Sequence, residues 1–258
     1  MIGRRRFLAA AFATLAPLPS QAVSHGRRRV TQDELDDAIA LHRLWLEDRT
    51  RGRRANFASC DLSGLDFGFS AQGQVVLRNA DFTGADLNSI GGNDVNFHHA
   101  SLQYANLAGS HLKAPVFSNA VLNGADCRNV VWGWPSAGTA LVPGPVQPSE
   151  HAVFMNASLA EAVFDHGRIR GYFYDCSLTA ASLVVTDLSQ SQFAGPSGAN
   201  RFGRARLIET SFRYAQISTA VFEGAVIART DFLGAILAPQ IAHHLRARDA
   251  INVSDQTF

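Results

Sequence analysis

The sequence predicts an all-β solenoid wound as a square coil, and three observations carry that prediction. Large apolar residues recur at intervals of five or a multiple of five, a small residue stands two places before most of them, and each interruption is followed by the same pattern resumed. The centres run Phe57, Leu62, Phe67, Leu77, Phe82, Leu87, Phe97, Leu102, Leu107, Leu112, Phe117, Leu122, Cys127 and Trp132. The small markers include Ala55, Cys60, Ala80, Ala85, Ala100, Ala105, Ala120 and Ala125. A period of five matches neither the 3.6 of a helix nor the 2 of a strand, so neither element hides these positions on one face. If each pentapeptide forms one side of a square, the centre and the small residue both point inward. Four sides then return the chain to its start, one strand spacing of about 4.8 Å further on. The small residue makes room for the large one of the adjacent side, since two large groups there would overpack the axis.

The elements follow in chain order. Residues 1–22 read as an export signal: a basic start, an apolar run from Phe7 to Leu18, and a Ser20-Gln21-Ala22 end suited to cleavage after Ala22. Arg4 and Arg5, followed by Phe7 and Leu8, resemble the twin-arginine motif of folded-protein export; an ordinary secretory signal or an uncleaved anchor are the alternatives. Residues 23–54 read as a linker and a helix. Thr31 and Glu34 stand at capping-box spacing, and Leu35, Ala38, Ile39, His42, Trp45 and Leu46 form one stripe. That helix is placed to cover the open end of a repeat array, with His42 either a packed histidine or a functional one.

Residues 55–238 form the repeat region, interrupted at 133–151. After the interruption the centres resume as Phe154, Leu159, Phe164 and Ile169, then Leu178, Leu183, Leu188 and Phe193, then Phe202, Leu207, Phe212, Ile217, Phe222, Ile227, Phe232 and Leu237. Together they make about eight coils, a rod roughly 35 to 40 Å long. Residues 239–258 read as a terminal helix and tail. Pro239 stands in its first turn and Ile241 and Leu245 on one side, placed to cover the last coil or to join two rods as a homodimer.

The motif A-(D/N)-L-x-x, standing as Ala80-Asp81-Phe82, Ala85-Asp86-Leu87, Ala105-Asn106-Leu107 and Ala125-Asp126-Cys127, resembles that of the pentapeptide-repeat proteins. The resemblance covers about Ala55 to Leu237 and implies a right-handed quadrilateral β-helix. It also implies an alternative function, because some members of that family resemble DNA in shape and charge and bind DNA gyrase, protecting it from quinolones.

Counting the centres in rotation from Phe57 puts Gln72, Gly92, Leu112, Trp132, Ile169, Phe193, Ile217 and Leu237 on the fourth side, with every insertion just after it. Solenoids gather loops on a binding face, and they also tolerate loops where closure is weakest; both readings fit. The loop of residues 133–151 is rich in proline, including Pro135, Pro143 and Pro145. Trp132 and Trp134 at its base either anchor a partner or plug the coil. On the same count Asp66, Asp86, Asp126, Asp187 and Asp231 form one outward acidic column, either a DNA-like stripe or a series of turn caps.

The chemistry of the chain is sparse. Arginine and lysine total 23 against 22 acids, a net charge of +1, so no global field draws nucleic acid. Cys60, Cys127 and Cys176 fall at inward positions far apart along the array, which suits small core residues rather than a disulfide or metal site. The adjacent pairs His98-His99 and His243-His244 point in different directions and read as surface residues. No catalytic triad, phosphate loop or metal-ligand spacing stands out, so neither enzyme activity nor a cofactor is expected. An enzyme with a site beneath the 133–151 loop is the remote alternative. The expectation is an exported, periplasmic or secreted rod that binds or scaffolds an unidentified protein, with no nucleic acid partner and no membrane contact after signal removal.

Overall fold

The computed structural model describes residues 26–68, 75–133, 151–189, 191–194, 200–202, 204–217, 220–222, 225–246 and 249–253. The chain enters as a two-residue strand, Arg28–Arg29, paired parallel with Cys60–Asp61. Helix α1, Gln32–Glu47, follows. Its start is a full capping box: Glu34 N donates to Thr31 Oγ1 at 3.2 Å and Thr31 N donates to Glu34 Oε2 at 3.0 Å. The Thr31 backbone bond, aided by Arg28, holds the Glu34 carboxyl below its ordinary range. The expected stripe is the inner face, with Leu35, Ile39 and His42 buried and Ala38, Trp45 and Leu46 half-buried.

Polar bonds fix α1 to the repeats at two places. The Gln32 amide makes a reciprocal pair with the backbone of Asp66, donating to its carbonyl at 2.9 Å and accepting its N–H at 3.0 Å. Further along, Ala55 N donates to His42 Nδ1 at 3.0 Å, so the ring proton resides on Nε2, which donates to Arg78 O at 2.9 Å.

From Asn56 onward the backbone climbs by parallel pairing on four faces, here A to D. On face A the centres Leu77, Phe97, Phe117, Phe154, Phe173, Phe193, Ile217 and Leu237 stack in register. Face B stacks Phe57, Phe82, Leu102, Leu122, Leu159, Leu178, Phe202 and Phe222. Face C stacks Leu62, Leu87, Leu107, Cys127, Phe164, Leu183, Leu207 and Ile227, and face D stacks Phe67, Gly92, Leu112, Trp132, Ile169, Leu188, Phe212 and Phe232. Apart from Gly92, all of these centres are buried. The result is a β-solenoid whose interior is one continuous apolar core.

Phenylalanines form a ladder along face A. Phe97–Phe117, Phe117–Phe154, Phe154–Phe173 and Phe173–Phe193 lie 5.2, 5.3, 4.6 and 4.6 Å apart with rings within 15° of parallel. Gly92 leaves no void, because Val95 Cγ2 and Phe67 Cβ would lie 2.7 and 3.1 Å from any Cβ placed there.

The corners are type II-like turns. Ala80 N bonds Leu77 O at 3.1 Å and Ala85 N bonds Phe82 O at 2.9 Å, with φ of 60° at Asn79 and 63° at Gly84. The outward Asp or Asn before a centre caps the turn after it: Asp61, Asp81, Asp86, Asn106, Asp126, Asp187 and Asp231 each accept the N–H two residues on. At two of the serines in that position, Ser158 and Ser182, the preceding coil supplies the acceptor instead. Asn123 Oδ1 takes both Ser158 Oγ and Ala160 N, and Asp165 Oδ1 takes both Ser182 Oγ and Val184 N. Buried hydroxyls likewise serve carbonyls of the coil below: Thr186 donates to Phe164 O, Thr210 to Leu183 O and Thr230 to Leu207 O, at 2.9, 2.5 and 2.5 Å.

Val185 breaks the chemistry of its turn. It is β-branched, 43% exposed and held at φ 54°, where glycine and asparagine are at ease. Val185→Asn is therefore expected to stabilise the protein by about 1 kcal/mol, read as a rise in denaturation midpoint. An unchanged or lower midpoint would show that the valine side chain contributes more than its backbone strain costs.

The pairing corrects the side count in two places. Asn56 pairs with Asp81, so Phe57 stacks on Phe82, not Leu77, and Leu77 on face A is the next described centre after Phe67 on face D. The expected centre Gln72 lies outside the described residues. Between Ile169 and Phe173 the corner is shortened to four residues, and Phe173, not Leu178, is the next centre on face A. Every centre after that moves one face relative to the sequence count. Phe193, Ile217 and Leu237 therefore belong to face A. The long segments after Phe67 and Trp132 leave the corner between faces D and A, whereas the segment between Phe193 and Phe202 leaves the corner between A and B. The interruptions flank face A on both sides instead of sharing one edge.

After Leu237 the chain forms helix α2, Pro239–Arg246, then the strand Asp249–Ile251, which pairs parallel with Val226–Asp231. The expected tail thus contributes one more strand. Among the described residues no helix is long and apolar enough to cross a membrane.

Candidate interaction surfaces

The root of the 133–151 loop is a backbone clamp. Arg170 N donates to Trp132 O at 3.0 Å, and Arg170 O accepts Ala152 N at 3.0 Å, so one residue of the next coil holds both ends of the loop. Gly133 is required there: its φ is 71°, and a Cβ would lie 2.1 Å from Arg170 O. Trp132 is fully buried against Phe117, Phe154 and Phe164, and its Nε1 donates to Ser110 Oγ at 2.9 Å. It plugs the coil and presents no surface to a partner, which corrects its expected place on a binding edge. Trp134, Pro135, Pro143 and Pro145 lie outside the described residues, as do Arg4, Arg5, Phe7, Leu8 and Ala22.

Face A carries a second group beside that root. The buried His151 stacks on Tyr172 at 4.4 Å, Tyr172 lies 6.1 Å from Tyr174, and Met155 is 47% exposed. Burial, then the neighbouring Tyr174, raises the Tyr172 phenol above its ordinary range.

The acidic residues divide between two faces. Asp86 and Asp126 stand on face C with Asp61 and Asn106, whereas Asp66, Asp187 and Asp231 stand on face D. Much of their charge is answered within the chain. Arg29 pairs with Asp61 at 2.8 Å, Arg27 with Asp86 at 3.3 Å, Arg128 with Asp126 at 2.5 Å and Arg213 with Asp231 at 3.7 Å. Bonds from Ser63 and then Arg29 pull the Asp61 carboxyl down to about 2, and the Arg128 guanidinium lowers that of Asp126. A single outward acidic column is therefore replaced by turn-capping carboxylates on two faces, of which Asp61, Asp86, Asp126 and Asp231 are paired with arginine.

Cys127 and Cys176 are buried, Cys60 is half-buried, and all three are free thiols. Burial pushes the Cys176 thiol up to about 12, leaving it protonated and unreactive at neutral pH. The His98 and His99 rings meet edge to face at 4.2 Å. Among the described residues no group of three histidine, cysteine or acidic side chains is placed to hold a metal ion. Ile241 and Leu245 of α2 are buried in the chain's own core.

One cluster escaped the sequence count: Arg201, Arg204 and Arg206 are exposed around the corner between faces B and C. Arginine at outward positions that on faces B and C elsewhere hold Asp, Asn, Ser or Val was the available signal.

The pentapeptide-repeat family model matches residues 93–129 with 8 copies. This chain carries pentapeptide repeats. The pairing described above extends the same five-residue grammar on both sides of the matched repeats. No curated protein sequence matches the chain. Among solved structures, full-length QnrB1, a plasmid-mediated fluoroquinolone resistance protein, is 14% identical over 75% of this chain and 96% of its own, with a TM-score of 0.42. HetL from the cyanobacterium Nostoc sp. strain PCC 7120, a pentapeptide repeat protein involved in heterocyst differentiation regulation, is 18% identical over 80% of this chain and 90% of its own, with a TM-score of 0.25. At these scores the likenesses carry nothing about what the repeats of this chain bind.

Proposed function

We propose that the protein is an exported, non-enzymatic rod that binds or scaffolds a protein partner in the periplasm. The observation that supports this best is the interior: large apolar side chains fill the axis from Phe57 to Leu237, which leaves the outer faces and corners as the working surface. In this reading the solenoid is a right-handed quadrilateral helix of about eight coils. The helices α1 and α2 close its ends, and the outer faces and corners carry the partner. Export rests on the amino-terminal signal. The DNA-mimic reading gains nothing from the acidic residues, which are split between faces, with Asp86, Asp126 and Asp231 each paired with an arginine.

Affinity capture from periplasmic extract tests the proposal, using the mature chain and a variant with residues 134–150 replaced by a short Gly-Ser linker. A partner held by the whole chain and lost from the variant is the expected result. Equal recovery by both removes the loop from the reading, and the absence of any retained partner removes the scaffold role. Sequencing the amino terminus of the protein from fractionated cells tests export independently, with a start at Val23 expected. Sedimentation of the purified chain tests association through α2: a monomer is expected from the burial of Ile241 and Leu245, and a stable dimer would show that the carboxy-terminal end joins two rods.

A further inference from the structure

Arg201 faces outward on B, Arg206 faces outward on C, and Arg204 occupies the left-handed turn between them at φ 56°. Among the described residues no ion pair or side-chain hydrogen bond engages any of the three. Their neighbours differ: Arg213 is paired with Asp231 and Arg229 with Glu209. The fold does not require arginine here. At the equivalent outward positions Asn56, Asp81, Asp61, Asp86 and Asp126 cap the following turn, a task for an acceptor that a guanidinium cannot perform.

Two further features surround the arginines. The backbone of Arg201 and Arg206 pairs with that of Ser177 and Ser182 in the coil before, so small side chains precede both arginines on their faces. On the other side Val226, 52% exposed, pairs with Arg206.

We propose that this corner docks an acidic, extended segment of a partner protein, with carboxylates on the arginines and an apolar side chain on Val226. The proposal rests on the rod being a protein-binding module. Planar guanidinium forks match carboxylates in pairs, and the small Ser177 and Ser182 beside them leave room for an extended chain. A flat anionic bilayer fits less well, because the three arginines wrap a convex edge and span two faces. Single-stranded nucleic acid fits less well too, since the described aromatic rings beside these arginines on faces B and C, Phe202 and Phe222, are buried in the core and cannot stack bases.

The test is fluorescence anisotropy at low salt with the mature chain and a labelled octapeptide of alternating glutamate and valine. Saturable binding is expected, falling with added salt. The combined variant Arg201→Gln, Arg204→Gln, Arg206→Gln should bind about tenfold more weakly or worse, while Arg128→Gln leaves binding unchanged and circular dichroism shows both variants folded. Equal affinity in the triple variant overturns the proposal, as does equal binding of a lysine-valine octapeptide. Tighter arginine-dependent binding of oligothymidine or of phosphatidylglycerol vesicles overturns the choice of partner. If the octapeptide fails while affinity capture still recovers a partner, this corner is excluded and the scaffold reading stands; failure of both removes the two together.

Discussion

Trp132→Ala is expected to destabilise the protein by about 3 to 5 kcal/mol, the usual range for emptying a fully buried large aromatic site. Trp132 fills the axis of its coil, lies 5.0 Å from Phe117 and 6.1 Å from Phe154, and gives its indole proton to the buried Ser110. Alanine would open a cavity beneath two rungs of the face A ladder and leave the Ser110 hydroxyl short of a partner. It would also loosen the floor of the loop that starts at Gly133. Chemical denaturation followed by far-ultraviolet circular dichroism measures the loss. Trp132→Phe should cost less, because most of the volume stays and only the indole bond is removed. A loss below about 1 kcal/mol for the alanine variant would contradict the packing described for this coil.

Replacing His42 has the second-largest expected effect, about 2 to 4 kcal/mol for His42→Ala. The ring joins α1 to two separate points of the first coils, accepting from Ala55 N and donating to Arg78 O. Removal leaves a donor and an acceptor without that partner in a buried setting. The same geometry predicts a pH dependence. Burial, the leading cause, lowers the His42 pKa in the folded protein from its ordinary 6.5, so the unfolded chain takes up the proton first as pH falls. The stabilisation is complete above pH 6.5 and declines as pH drops from there through the lower folded value. Protonation would also aim an Nδ1–H at the Ala55 N–H. Protection of the Leu35 and Ile39 amides, taken relative to their intrinsic exchange rates, should fall through this range in the native protein and lose that dependence in His42→Asn. Exchange rates that follow only the intrinsic pH trend would rule the mechanism out.

The fold class was legible because inward packing imposes a five-residue rhythm that survives substitution. Phe, Leu, Ile, Cys and Trp all serve as centres, and the rhythm depends on size and phase rather than identity. The face on which each centre stacks was less legible. A count modulo five treats the ten residues from Phe67 to Leu77 as two sides, whereas the backbone pairs Asn56 with Asp81, which puts Phe57 under Phe82. At Phe173 a single missing residue shifted the count again; the signal was a phenylalanine in "GYFYD" at a spacing of four from Ile169. The capping role of Asp61 or Asp126 was legible from its place before a centre. Its neutralisation by Arg29 or Arg128 was not, because those contacts depend on rotamers and on a strand, Arg28–Arg29, that joins from outside the repeats. The arginine corner was hidden for a related reason, since only the corrected register shows that Arg201 and Arg206 occupy adjoining faces.

The caps lent by Asn123 and Asp165 bear on how such a chain grows and shrinks over generations. Ser158 and Ser182 lack a carboxylate or amide of their own, so each of these turns is completed by the coil before it. A gain or loss of a single coil at these points would part lender from borrower and leave an N–H uncapped, even though the rhythm of five stayed intact. Duplications that preserve function should therefore copy such coils in adjoining pairs. Turns that carry their own cap, such as those after Asp61 and Asp126, place no such bond on the coil before them.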